Sequence, residues 1–416
     1  MRNSPFWLII VGLMVVLDIY VFQAVKLVSA AAGARTRTII YGVYWTISIL
    51  ALLTLILLPL LKLDTWSQGL RSVVFATIIA LFFAKVLVAL FLLIDDIRRL
   101  IQWAAGKLFF NNTEGAQLQE GETISRSHFL TWAGIGLGGG VLGSLLYGFS
   151  NKYDYRVRKV PLQFSNLPAS FKGMKVVQIS DIHSGSLLHH EAVKKGVEKI
   201  NSLKPDLVVF TGDLVNNRAD EMAGLKEIFK NLVAPLGVYS ILGNHDYGDY
   251  EQWESAAHKR QNLETLKKIH GEMGWRLLLN QNAVLERNGE QIGLLGVENW
   301  SAKARFPKYG KLAEAYKGAE HLPFKILLSH DPSHWDAEVL PQYADIDLML
   351  AGHTHGMQFG VELPWLRWSP VQYVYEQWAG LYSRGNQKLY VNRGFGFIGY
   401  PGRVGILPEI TLFELA

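Results

Sequence analysis

Three apolar runs, Pro5–Val25, Ile39–Leu61 and Val73–Ile94, constrain the first third of the chain more than any other feature. Each reaches the roughly 20 residues that a helix needs to cross the hydrocarbon core of a bilayer. A fourth run, Phe129–Phe149, is rich in glycine. Its glycines fall in pairs four residues apart, Gly134/Gly138, Gly136/Gly140 and Gly139/Gly143, a spacing that lets membrane helices approach closely. A nucleotide-binding glycine loop would follow a strand inside a βαβ unit, and nothing of that kind precedes this one. Four such runs in succession argue against buried core helices, and the first lacks the small-residue cleavage site of a signal peptide. Residues 1–150 are therefore expected to form an all-α transmembrane region of about four helices, near 5–25, 39–61, 73–94 and 129–149.

Two charges lie deep in these spans, Asp18 in the first and Lys85 in the third. The two spans run in the same direction, which puts both charges at similar depth. Charges there are costly and usually paired inside a bundle, so an Asp18–Lys85 pair is expected, with snorkelling or separate partners as the alternatives. Lys and Arg divide evenly between the two sides of the membrane, so the positive-inside count orients nothing. The string Ser125-Arg126-Ser127-His128-Phe129-Leu130 resembles a twin-arginine export signal without its second arginine. It favours an extracytoplasmic C-terminal part at a bacterial cytoplasmic membrane.

Composition changes after residue 150. Residues 1–150 carry 11 Lys+Arg and 7 Asp+Glu, and residues 151–416 carry 30 and 29. The second part has an ordinary soluble composition, and its near balance lacks the basic footprint of a nucleic-acid binder. The chain contains no cysteine, which removes disulfides, thiolate nucleophiles and zinc fingers and leaves His, Asp, Glu and Asn to hold any metal. Residues 151–173 read as a linker. Across 174–416, short β-rich runs alternate with helical stretches, as in an α/β layered domain. The expected strands are Met174–Ser180, Leu207–Thr211, Val238–Leu242, Ile292–Val297, Lys325–Ser329, Leu348–Ala351, Lys388–Val391 and Ile410–Glu414, with a helix over Glu191–Leu203.

The residues just beyond these strands carry the chemistry. In order they are Ser180-Asp181-Ile182-His183, Thr211-Gly212-Asp213-Leu214, Gly243-Asn244-His245-Asp246, Ser329-His330-Asp331 and Ala351-Gly352-His353-Thr354-His355. In α/β sheets, loops beyond the carboxyl ends of strands converge on one crevice. A lone Asp-x-His is more often a turn with a capped polar residue, but five strand ends supplying Asp, Asn or His point to one site. In an extended strand end, Asp181 and His183 point the same way and grip one cation together. Asn244 and His245 point apart, so one binds metal while the other faces substrate. Imidazole and oxygen donors without sulfur suit Mn, Fe, Zn or Co in two-metal sites with ions ~3.5–4 Å apart. Two divalent cations, set against Asp181, Asp213 and a bridging hydroxide, retain positive charge for a phosphate.

These motifs, in this order, resemble the calcineurin-like metallophosphoesterase family. Within it the chain is similar to the bacterial membrane-associated branch typified by a twin-arginine-exported phosphoesterase. The resemblance covers about Met174–Glu414 and includes Tyr390-Val391-Asn392-Arg393-Gly394-Phe395-Gly396, where Asn392 replaces the branch's common Ser. It implies an α/β fold, a four-layer α/β/β/α sandwich. It also implies Asp181, His183 and His355 on a first metal, Asp213 bridging, and Asn244, His330 and His353 on a second. His245 becomes the catalytic histidine, protonating the leaving oxygen or steadying the phosphoryl group. Attack then comes in line from the hydroxide between the metals. Arg393 is a candidate phosphate clamp, because its forked donors match two oxygens; a structural arginine is the alternative.

Other residues carry weaker expectations. Asp246 either orients His245 or caps a turn. His334 reads as support or surface, His189 and His190 as candidates for the entrance, and Asp331-Pro332 as a strand stop. Trp365, Trp368, Tyr373, Tyr375 and Trp378 form either an aromatic rim in the membrane interface or a hydrophobic cap. The rim would suit a lipid-linked phosphate. The sequence thus reads as a membrane-anchored, dinuclear-metal phosphohydrolase acting on phosphomono- or phosphodiesters of a small molecule or lipid. The rival reading is a membrane sensor or scaffold whose phosphatase-like domain binds a phosphorylated ligand without turnover. Such a binder has no need of His245 as a proton donor.

Overall fold

A computed structural model describes residues 5–57, 66–109 and 126–416, and the chain divides into two compact units, Met1–Tyr147 and Gly148–Ala416. In the first unit, α1 (Pro5–Val28), α2 (Ala34–Leu57), α3 (Gln68–Phe109) and α4 (Arg126–Gly148) are each long and apolar enough to cross a membrane. Leu58–Leu61 of the second expected span and Ser125 of the export-like string lie outside the described residues. The third span does not stop at Ile94. Its helix runs for 42 residues, about 63 Å at 1.5 Å per residue. No proline interrupts it, and Asp95 pairs with Arg98 at 2.8 Å and Arg99 at 2.9 Å, the i+3 and i+4 partners that support a helix.

The Asp18–Lys85 pair forms, and it recruits a third helix. Lys85 Nζ meets the buried Asp18 carboxylate. Ser48 donates to Asp18 Oδ1 at 3.0 Å and accepts from Lys85 at 2.8 Å, while the Tyr44 hydroxyl donates to the Asp18 carbonyl at 2.7 Å. Of the glycine pairs in α4, Gly134/Gly138 is the one in contact with α3. A Cβ on Gly138 would lie 2.7 Å from the Ala84 carbonyl oxygen.

The second unit is built on two six-stranded sheets. One has the order β1 (Arg156–Leu162), β14 (Glu409–Leu415), β2 (Lys175–Ile179), β3 (Leu207–Phe210), β4 (Val238–Ser240), β5 (Trp275–Leu277). The other has the order β12 (Gly380–Arg384), β13 (Gln387–Val391), β9 (Leu348–Ala351), β8 (Lys325–Leu328), β7 (Glu290–Gly296), β6 (Gln281–Arg287). A separate hairpin joins β10 (Val361–Leu363) and β11 (Leu366–Trp368). Strands β2 to β5 are parallel, as are β7, β8, β9 and β13. The carboxyl ends of each parallel set therefore share one edge.

Period-two alternation sorts the side chains into layers. Leu207 and Val209 enter the core between the sheets, where Val176 and Ile241 join Ile326, Leu328, Leu348 and Leu350. Val208 and Phe210 point the other way, toward α5 (His190–Ser202), α6 (Lys226–Phe229) and α7 (Ala256–Glu272). On the far sheet, Leu327, Met349 and Ala351 pack under α8 (Leu312–Tyr316) with Trp335 and Val339. The four expected layers follow. The stretch 151–173 is not simply a linker, because it contains β1, paired with β14 from Arg156↔Glu409 to Leu162↔Leu415. Its charges and Pro161 fit an edge strand, and that composition disguised it.

Candidate metal centre

The carboxyl ends of β2, β3, β4, β8 and β9 place Asp181, His183, Asp213, Asn244, His245, His330, His353 and His355 together. Asp181 (φ 52°), His183 (48°), Asp213 (61°), His353 (73°) and His355 (51°) adopt left-handed backbone. Each such residue costs on the order of 1–3 kcal/mol and persists where its surroundings enforce it, characteristically at functional sites. This corrects the extended geometry expected for Asp181 and His183. The chain twists sharply at both residues, and their side chains still meet. Glycines make room for the crowding: a Cβ on Gly352 would lie 2.3 Å from Asp181 Oδ2, and one on Gly243 would lie 2.3 Å from Asp213 Oδ1.

Two clusters result. Donor atoms of Asp181, His183 and His355 lie within 4.8 Å of one another, as do those of Asp213, His330 and His353. His355 Nε2 is 3.0 Å from His183 Nε2 and 3.2 Å from Asp181 Oδ1. Asp213 Oδ2 stands between the clusters, 3.6 Å from His183 Nε2 and 3.2 Å from His330 Nε2. Asn244 Oδ1 lies 2.8 Å from His353 Nδ1 and 3.2 Å from His330 Nε2.

The outer contacts of these side chains show which of their atoms carry hydrogen. His330 Nδ1 lies 2.7 Å from the Thr211 carbonyl, which only accepts, so Nδ1 is protonated and Nε2 is the nitrogen turned to the cluster. Asn244 Nδ2 donates to the Tyr250 hydroxyl at 3.0 Å, which turns its oxygen inward. His353 Nε2 sits 2.9 Å from the Tyr375 hydroxyl and 3.4 Å from Asp331, leaving Nδ1 for the cluster. Two imidazole nitrogens, an amide oxygen and a carboxylate thus converge, and together they call for a positive charge among them. A cation fits that arrangement, and the nitrogen and oxygen donors suit Mn, Fe, Zn or Co.

The electrostatics agree. Burial opposes charge on Asp181 and Asp213, yet His355 and His330 respectively hold the two carboxyls below their ordinary range. Burial pushes His183 and His353 down, toward the neutral ligand form. Burial also opposes a proton on His330, but Asp213 overrides it and lifts that group to about 10. A proton there meets the same demand for positive charge, so cation and proton compete for the site.

Two sequence expectations do not match the geometry. Asp246 does not touch the His245 ring. Its carboxylate accepts the N–H groups of Asp213 (3.0 Å), Leu214 (2.8 Å), Val215 (3.2 Å) and Gly243 (2.8 Å), stapling two ligand loops together. Burial and Asp213 raise it to about 7 against the pull of these amides. His245 is oriented instead by the Asn216 carbonyl, 2.8 Å from Nδ1. Arg393 is buried away from the cavity and committed to Glu409 at 2.6 Å and to Glu362. It is a structural ion pair whose two terminal nitrogens are both taken by carboxylates, so its fork is not offered to a phosphate at the clusters.

Sequence reasoning also passed over residues that the fold brings in. Asp331 is buried against Tyr375 (3.0 Å) and His353. A cavity of about 570 Å³ opens over the clusters, with His183, Asp213, Asn244, His245, His353 and His355 on one side. Phe306, Met357, Pro370, Val371, Val374 and Ile398 supply an apolar wall. The aromatic segment divides: Trp365 and Tyr373 are exposed, while Tyr375 and Trp378 are buried. His334 is held between Ser329 and Glu338, and His189 caps α5. Neither lines the cavity, and nor does His190.

Residues 174–357 match the family model described as "Calcineurin-like phosphoesterase", and residues 1–152 match its "transmembrane domain" counterpart. The chain is 32% identical over 276 residues to the Danio rerio "Transmembrane protein with metallophosphoesterase domain", covering 64% of this chain and 59% of that protein. It is 32% identical over 261 residues to the metallophosphoesterase YkuE of Bacillus subtilis, covering 61% of this chain and 83% of YkuE. It is 28% identical over 303 residues to the "UDP-2,3-diacylglucosamine pyrophosphatase LpxG" of Chlamydia trachomatis, covering 61% of this chain and 88% of LpxG. The site geometry and these likenesses agree, and the chain belongs to the calcineurin-like metallophosphoesterases, with a four-helix membrane region ahead of the phosphoesterase domain.

Proposed function

We propose that this chain is a membrane-anchored, two-metal phosphohydrolase whose substrates are phosphate esters or diphosphates with a lipid portion. The observation that carries the reading is Asp213 Oδ2, shared between two buried donor clusters at the floor of a half-apolar cavity. Asp181, His183 and His355 would hold one divalent cation and Asn244, His330 and His353 the other, with Asp213 to both. Cations held there supply Lewis-acid charge to phosphoryl oxygens and lower the pKa of bound water. His245 is the proton-transfer group, because its Nδ1–H is engaged by Asn216 and Nε2 remains to give or take a proton. The apolar wall and the exposed Trp365 and Tyr373 support an acyl-bearing substrate at the bilayer surface. The Chlamydia relative, named for a diacylated sugar diphosphate, supports the same class. The proposed boundaries are 1–150 for the membrane region and 174–416 for the catalytic domain, on the extracytoplasmic side.

The test uses the full-length protein in detergent with Mn²⁺ and an aryl phosphodiester. Parent protein is expected to bind two ions and turn over. Asp213→Asn should lose about a thousandfold in rate together with at least one ion. Fewer than two ions in the parent, or unchanged turnover in Asp213→Asn, overturns the reading. Tight binding of a phosphorylated ligand with no turnover would establish the sensor instead. A lipid diphosphate cut no faster than the aryl ester removes the lipid specificity, and a reporter fused after Ala416 reads the side of the membrane.

A further inference from the structure

We infer that Arg305 forms a second anion subsite, binding the phosphoryl group next to the one that is cut, and so selects diphosphates over single phosphates. This rests on the hydrolase reading above. Arg305 is the single Lys or Arg among the residues lining the cavity, and among the described residues it has no carboxylate partner. The other arginines near the centre are committed: Arg393 to Glu409 and Glu362, Arg158 to Glu362, and the buried Arg403 to the carbonyls of Arg393 and Gly396.

Arg305 is also placed for the task. Its guanidinium lies 4.6 Å from the Phe306 ring, and that ring stands edge-on to His353 at 4.8 Å. One phenyl ring therefore separates the unclaimed cation from a ligand of the second cluster. Tyr250 and Tyr375, the partners of Asn244 and His353, line the same cavity as Arg305. A guanidinium is attracted to an aromatic ring at this distance, and its planar fork matches two phosphate oxygens. The clusters serve the phosphorus under attack. A second, adjacent phosphoryl group brings further negative charge, and Arg305 is the cation in the cavity left to meet it.

Two probes differing by one phosphorus test this: a methylene-bridged diphosphonate diester and an alkyl phosphonate monoester, each titrated into Mn²⁺-loaded full-length protein by calorimetry. The parent should bind the diphosphonate about tenfold tighter or more, a preference that Arg305→Ala removes and Arg305→Lys, which keeps charge but loses the fork, restores in part. Metal content should stay within about twofold of parent in both variants, because Arg305 touches none of the side chains of the two donor clusters. A parent without the preference, a preference unchanged in Arg305→Ala, or equal weakening of both probes overturns the inference. Turnover of the aryl ester without diphosphonate preference leaves the hydrolase reading standing and removes the Arg305 subsite. Absent turnover with the Arg305-dependent preference intact does the reverse.

Discussion

Asp331 follows His330 directly in the chain, yet it serves His353. Its carboxylate and the Tyr375 hydroxyl hold the outer nitrogen of that ring. Outer partners of metal-binding histidines fix ring orientation and tautomer, and losing one typically lowers metal affinity about 10–100-fold. Under the two-metal proposal, Asp331→Asn is therefore expected to weaken the ion held with His353 by that factor and leave the other unchanged, read by metal titration. Equal loss of both ions, or no loss, would contradict the assignment. From sequence Asp331 read only as a strand stop, and of the two readings for Asp246 adjacency favoured the His245 ring, whereas its carboxylate takes backbone N–H groups. A residue's neighbour in the chain is rarely its neighbour in a cluster assembled from five loops, and nothing in the letters marks the left-handed backbone at five of the ligands.

At the level of elements, the β-rich runs that alternate with helices are legible because buried parallel strands are nearly continuous apolar runs. The edges are harder. Strand β1 is charged, and β6 is polar on one face. The turn Asn288-Gly289, with both φ positive (52° and 81°), joins β6 to β7 and is a hairpin signal that would have located β6 from sequence. In the membrane region, the Asp18–Ser48–Lys85 cluster ties α1, α2 and α3 together. Neutralising one partner of a buried ion pair leaves the other uncompensated. Asp18→Asn or Lys85→Met alone should lower the melting temperature in detergent by about 5 °C or more. The exchange Asp18→Lys with Lys85→Asp should recover much of the loss. A double exchange no more stable than the worse single variant would show that the pair is not what binds these helices.

Across the whole molecule, stability and pH are linked through His270. It is fully buried on α7, its Nδ1 meets Ser240 Oγ at 2.9 Å, and its Nε2 is without a partner. Burial pushes it down to about 3 from an ordinary value of 6.5. Below pH 6.5 the unfolded chain therefore takes up a proton that the folded chain refuses. Its contribution is intact above pH 6.5 and is lost as pH falls toward 3, at most about 1.4 kcal/mol per pH unit. His270→Leu should be offset at neutral pH by the lost hydrogen bond, and its stability should fall less steeply than the parent's between pH 6 and pH 4, followed by chemical denaturation. Parallel curves across that window would rule out a neutral buried His270.

By itself the sequence determined the four long apolar helices and the layered α/β domain, and it named seven side chains that the fold brings together in two donor clusters, because periodicity and short motifs depend on residues close in the chain. Tertiary structure alone assigned Asp331 to His353, withdrew Arg393 into an ion pair with Glu409, replaced Asp246 by the Asn216 carbonyl at His245, and left Arg305 uncommitted over the cavity. Those outcomes turn on which charges become neighbours once strands from two sheets are packed, and a buried charge takes whatever partner the packing brings within reach.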